Sequence, residues 1–252
     1  MCGPPKRSLI PATLALSLSP LLAWAPETRV RMVDEAIRLM PASLHQALAS
    51  HREQLLAGAL RPLAGEDEPG HRPPWAAGRL DSELAAVAGE LAATLARPVP
   101  FGEVAERFGS LAHYVSDAGF PPGVGEEASD RRYRHFAEFC ESRRERFPVV
   151  FYGHEDPRLA RGDYGAFALE VMRLASHDDG ELARAYAAAG DPPDPAAFDD
   201  RSVPFAIGSL AYSRSITNIV RAWLSVWQSA EGDMSRTPYR TPAEAEADPR
   251  RE

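Results

Sequence analysis

Cysteine is almost missing from this chain: two occur in 252 residues, Cys2 and Cys140. Cys2 lies in an N-terminal segment that reads as removable, so a disulfide framework is excluded. A surplus of positive charge is lacking too. Lys and Arg number 28 against 36 Asp and Glu, a formal charge of -8. That balance excludes passive attraction to nucleic-acid phosphates or anionic membranes, and no strong nucleic-acid affinity is expected. No glycine-rich phosphate loop, no internal repeat and no run of alternating strands is found. Ser110 and Ser213 sit in no nucleophile turn. Long apolar runs are short of what a membrane span needs: Ser8 to Ala23 is interrupted by Pro11 and Pro20, against ~20 apolar residues for a span.

What is present is an ordinary globular composition, 44% hydrophobic and 25% charged, enough for one domain with a sizeable core. Lys6 and Arg7 ahead of the Ser8–Ala23 run form a signal-peptide pattern. The expectation is a signal peptide over 1–23, a mature N-terminus at Trp24 and a secreted or periplasmic protein. The mature chain should have no transmembrane helix, and Cys2 lies too early to carry a lipid after cleavage.

Apolar spacing then predicts helix after helix. The first carries Val30, Val33, Ile37 and Met40, opened by a cap-like Thr28 and closed at Pro41. Further helices are expected over Ser43–Ala59, Asp81–Arg97 with Asp81 as cap, Phe101–Ala118 and Asp130–Phe147. Two more are expected over Asp163–Ser176 and Gly180–Gly190. Val203–Ala230 is the longest apolar segment and reads as a central helix, with Gly208 and Ser213 as candidate break points. Residues 61–74 and the DPPDPAAFDD stretch have loop composition. Pro148–Tyr152 has strand-like residues but no partner strand, and is read as a buried loop. Residues 231–252 are polar and proline-bearing, a disordered tail. The class is all-α: a single-domain multi-helix bundle over 24–230.

Chemistry concentrates at His113 and Asp117. On a helix, positions four apart share a face, so an imidazole nitrogen and a carboxylate oxygen can converge. By itself such a pair is more often a surface hydrogen-bonded pair than part of a metal site. The HDDG stretch at His177–Gly180 and the Asp199-Asp200 pair are acidic candidates for calcium, read as solvated loops. Cys140 falls in a helical apolar pattern and reads as core.

The run Gly109–Pro122, GSLAHYVSDAGFPP, and the start AWAPETRVRMVDEAIRLMP resemble the zinc-dependent phospholipase C family and the related secreted zinc nucleases. Ser110, Leu111, His113, Tyr114, Asp117 and Pro121 match the family's helix motif, and SRSITNIVRAWLSVW is similar to its final core helix. The resemblance implies an all-α fold and a mature N-terminal Trp, here Trp24, that binds metal through its amino group and carbonyl. It further implies a metal shared by His113, Asp117 and a preceding-loop histidine, for which His71 is the candidate. Those ligands would leave one position for water, and Asp117 becomes the catalytic candidate. The substrate implied is a phospholipid or nucleotide phosphodiester.

Departures limit what carries over. Arg29 stands where the family has a ligating His, and Pro62-Leu63 where it has Pro-Asp. Pro121-Pro122-Gly123 replaces a Pro-x-His, and the downstream His-x-x-x-Glu pair falls near Asp130 and Arg134, with His135 and Glu138 close by. A protonated arginine contributes a fixed charge where a cation would bind, so the expectation is zinc at one site or none. Arg29 is a candidate to fill the vacated position and pair with Asp117 or a glutamate. Two functions follow: a phosphodiester hydrolase with a reduced metal site, or a catalytically inactive relative that binds a lipid, a nucleotide or another protein.

Overall fold

The computed structural model describes residues 23–61, 68–125, 130–190 and 197–239, and every regular element among them is helical. The expected signal peptide (residues 1–22 of it), Pro62-Leu63 and residues 240–252 of the expected tail lie outside the described residues. The helices are α1 (Pro26–Arg38), α2 (Ala42–Ser50), α3 (Arg52–Leu60), α4 (Leu80–Leu95), α5 (Phe101–Ala118), α6 (Pro121–Val124), α7 (Asp130–Arg143), α8 (Tyr164–Ala189) and α9 (Val203–Ser229).

The all-α expectation holds, and α5 is the element that positions the site. It packs on α3, α4 and α9 at once. Against α3 the approach is backbone to backbone: a Cβ on Gly109 would fall 1.9 Å from Leu55 O, and one on Gly58 would fall 1.9 Å from Glu106 O. Only glycine permits that distance, and it brings the C-terminal end of α3 against the middle of α5. On the opposite side Trp223 of α9 packs edge-on to Phe108, with centroids 5.7 Å apart, and its indole N–H donates to Phe108 O at 2.9 Å. Leu111, Ala112 and Val115 are fully buried on the same face.

Several boundaries differ from the sequence reading. The expected Ser43–Ala59 helix divides at His51, whose backbone (φ -119°, ψ 32°) leaves the helical region. Conversely, α8 runs unbroken through Gly180, which makes no close approach to anything. Helix α9 is likewise continuous through both candidate break points. Gly208 is there for packing: a Cβ would meet Cys140 Sγ and the Phe147 ring at 3.0 Å. Neither expected cap is one. Helix α1 begins at Pro26, ahead of Thr28, whose hydroxyl donates to Glu141 at 2.6 Å. Helix α4 begins at Leu80, with Arg79 as the preceding residue and no side-chain cap.

The segment Pro148–Tyr152 is a loop but not a buried one, with Val150 and Tyr152 each 45% exposed. Its partner is a helix rather than a strand. Ser213 Oγ accepts from Val150 N at 3.2 Å and donates to Pro148 O at 2.8 Å, while Thr217 Oγ1 accepts from Tyr152 N at 3.2 Å. One helical turn further, Arg221 donates to Gly153 O and Tyr152 O at 2.9 and 2.8 Å. A row of polar side chains four residues apart on α9 thus satisfies alternate backbone groups of an extended strip. The start of the expected tail is also held, with the Trp227 indole N–H donating to Asp233 O at 3.1 Å.

Candidate metal centre

Helix α5 carries His113 and Asp117 one turn apart, both inward, 1% and 3% exposed. Across from them, His71 ends a short 3-10 turn, Glu68–His71, in the loop between α3 and α4. That loop is tied to itself by Arg79 N donating to Pro69 O at 2.8 Å and Leu80 N to Arg72 O at 3.0 Å. It is also tied to α6, the Trp75 indole N–H donating to Val124 O at 3.0 Å. His71 is therefore brought to α5 on a fixed backbone, and its side chain remains 14% exposed.

Three donor atoms meet. His71 Nδ1 lies 2.7 Å and His113 Nε2 2.9 Å from Asp117 Oδ2, and the two imidazole nitrogens are 3.3 Å apart. Among the described residues, these are the His, Cys and carboxylate side chains that cluster tightly enough to hold an ion. Two imidazoles and a carboxylate form a donor set of the kind found in catalytic zinc sites, which keep a fourth position open. Zinc bonds of about 2.0–2.1 Å put tetrahedral donors roughly 3.3 Å apart, so accepting an ion requires opening the two shorter contacts by a few tenths of an ångström. His113 Nδ1 is 2.9 Å from Ala59 O at the end of α3. With an ion on Nε2 this carbonyl would accept the Nδ1 proton and orient the ring; without one, Nε2 faces the Asp117 carboxylate and Nδ1 is placed to accept from Arg29. The residues present fit one ion.

The other side of Asp117 belongs to Arg29, which is 2% exposed. Its guanidinium donates through Nη2 to Asp117 Oδ1 and through Nη1 to Ser116 Oγ at 2.7 Å, while Nε donates to Trp24 O at 3.0 Å. Nη1 also lies 3.0 Å from His113 Nδ1 and donates to His113 O at 3.3 Å. The arginine thus pairs with Asp117, the first of the two partners expected for it, and not with a glutamate. Trp24, expected as a ligand, presents its carbonyl to this guanidinium. Its indole is fully buried, donates to Ser116 O at 3.1 Å and packs edge-on to Phe120 at 5.1 Å.

Protonation follows from this geometry. Burial by itself would raise the Asp117 carboxyl, but the Arg29 guanidinium and then His113 outweigh it and hold it well below the usual carboxylate range. Burial pushes the His113 imidazole down; Asp117 opposes this and Arg29 adds to it. At neutral pH the site offers an ionised carboxylate and a neutral imidazole, the forms a metal requires.

Other candidates lie elsewhere. His135 Nδ1 is 2.7 Å from the Tyr186 hydroxyl, and its ring packs against Tyr186 and Phe198, away from the cluster. The His177–Gly180 stretch is interior to α8 rather than a loop, and Asp178 is paired to Arg214 at 2.7 Å. Asp200 is paired to Arg146 and Arg143. Cys140 is free, fully buried and pushed up by burial, then by Glu141, a core thiol rather than a nucleophile. The sequence reading missed Ser116, although its position three residues after His113 places it on the same helical face. It matched Tyr114 to a motif without a role; the structure stacks that ring on His71, centroids 5.2 Å apart and planes 9° from parallel.

No known family profile matches the chain, and no curated protein matches it by sequence. Among solved structures it is similar to the alpha-toxin of Clostridium perfringens, from avian strain SWCP. The TM-score is 0.57 at 12% identity, over 82% of this chain and 64% of the toxin. The chain thus spans less than two thirds of that protein's length. At this identity the likeness concerns the fold, and it supports the all-α architecture.

Proposed function

We propose that this chain is a phosphodiester hydrolase of the zinc phospholipase C and nuclease type, working with a single zinc ion. The observation that carries the reading is the convergence of His71 Nδ1, His113 Nε2 and Asp117 Oδ2. Both the motif around His113 and the all-α likeness to the alpha-toxin support it. A zinc ion held there would supply Lewis-acid activation of water for attack on a phosphate ester.

The protein's own residues set the limits of that chemistry. Asp117, held well below the ordinary carboxylate range, is a poor proton acceptor near neutral pH. Its part is to supply negative charge through Oδ2. Arg29 occupies Oδ1 as a permanent cation, so the carboxylate has one oxygen left for a metal, and the site takes one ion. Trp24 contributes by fixing Arg29 through its carbonyl. Arg29 is too buried to reach a substrate. A phospholipid or nucleotide phosphodiester is the proposed substrate, and export to the periplasm or medium the proposed location. Among the described residues no helix is long and apolar enough to cross a membrane.

Elemental analysis of the purified protein, with turnover of phosphatidylcholine vesicles and of a nucleotide diester, tests this reading. About one zinc per chain, lost in His113→Ala together with hydrolysis, is expected. Metal-free wild type after zinc dialysis would overturn it. The burial of Arg29, with each of its three guanidinium nitrogens hydrogen-bonded inside the protein, favours a second reading, an inactive relative that binds a lipid, a nucleotide or a protein. Zinc bound without turnover of either diester would favour that one.

A further inference from the structure

Of the three clustered donors, His71 alone does not sit on an α-helix, and the question is what orients its ring. Its backbone is fixed by the loop's own hydrogen bonds and the Trp75 tie to Val124 O. Fixing the backbone does not fix the imidazole plane, because χ2 of histidine is a broad, nearly two-fold torsion. A rotation about it would carry Nδ1 off Asp117 Oδ2 without moving any main-chain atom. Something must select the plane.

The geometry points to Tyr114 as a positioning residue for the candidate metal centre. Its ring lies face to face with His71, centroids 5.2 Å apart and planes 9° from parallel, and edge-on to His113 at 5.4 Å and 84°. His113 in turn meets the His71 ring edge-on at 5.1 Å and 86°. The His71 imidazole is therefore held flat on one ring and edge to another, and Nδ1 points to the Asp117 carboxylate at 2.7 Å. A carboxylate can only accept, so in the ion-free protein Nδ1 carries the proton of that bond. Tyr114 is one residue after His113 and three before Asp117. One helix thus supplies two ligands and the platform for the third, and the loop needs to deliver only an imidazole to a prepared surface.

This inference rests on the single-zinc reading for its functional meaning but not for its test. Tyr114→Phe keeps the platform, and Tyr114→Leu fills much of the volume without a flat face. Two quantities are measured on each: zinc Kd by chelator competition, and, in zinc-free protein, the exchange-protected Nδ1–H resonance of His71. Wild type and Tyr114→Phe are expected to share both. Tyr114→Leu is expected to lose the protected proton and to bind zinc about tenfold more weakly, the low end of what outer-shell partners contribute. A Tyr114→Leu protein that keeps the protected proton overturns the assignment, as does a Tyr114→Phe protein that loses it. If wild type binds no zinc, the single-zinc reading falls, and the proton resonance still decides the role of Tyr114. Should Tyr114→Leu not fold, Tyr114→Met takes its place with the same expectations.

Discussion

Asp117 has two oxygens, and they face two differently built halves of one site. On the Oδ1 side stands Arg29, whose fork is bonded to Asp117, Ser116 and the Trp24 carbonyl and is 2% exposed. On the Oδ2 side stand two imidazoles, one of them still in contact with solvent. Both halves place positive or proton-donating groups on a buried carboxylate, and both satisfy it. They differ in reversibility. A guanidinium keeps its charge throughout the accessible pH range, whereas imidazole protons exchange and can be replaced by a metal ion. One half of the site is permanent and the other is exchangeable.

The largest effects should come from breaking the permanent half. Arg29→Met leaves a buried carboxylate with an unpaired oxygen and is expected to cost about 3–5 kcal/mol in urea unfolding. Asp117→Asn strands the guanidinium instead and falls in the same range. Because the Asp117 carboxyl is lowered in the folded protein, its contribution is present above the unfolded value of ~3.9 and is lost as pH falls through the folded value. Asp117→Asn should therefore show a flatter loss of stability than wild type below about pH 4, read by denaturation of zinc-free protein across that range. A parallel pH profile in the two proteins would mean that Arg29 does not hold Asp117 as the geometry indicates.

The exchangeable half should respond to metal rather than to acid. At free zinc 100 times Kd, wild type is expected to gain about 2.7 kcal/mol, seen as a higher melting temperature. His113→Ala and His71→Ala should lose that gain. The smallest effect sharpens the comparison from outside the site: Thr217→Ala removes one rung between α9 and the 148–153 strip and should cost about 1 kcal/mol. Its zinc content should stay equal to that of wild type.

Legibility differed between these parts for physical reasons. Phe101–Ala118 was read to the residue, because its apolar period, the preceding proline and the following glycine agree. The union of Asp163–Ser176 and Gly180–Gly190 into one helix was not legible. An acidic run with glycine reads locally as a break, and it is overridden when the helix is held on both sides by packing. Similarly, Pro148–Tyr152 has no strand partner because hydroxyls and a guanidinium on a helix take that place, and nothing in a local pattern announces such a pairing.

By itself, the sequence determined the all-helical class, the His113 and Asp117 pair on one face, and a permanent cation at position 29. Those follow from periodicity and from side-chain chemistry, which are local. Only the tertiary structure decided that His71 reaches Asp117, that Tyr114 lies flat beneath it, and that Arg29 fastens Trp24 to the same carboxylate. Each of these depends on where α1, α5 and the loop before α4 meet. The Gly58 and Gly109 contact and the core around Trp223 set that meeting point, through packing between residues far apart in the chain.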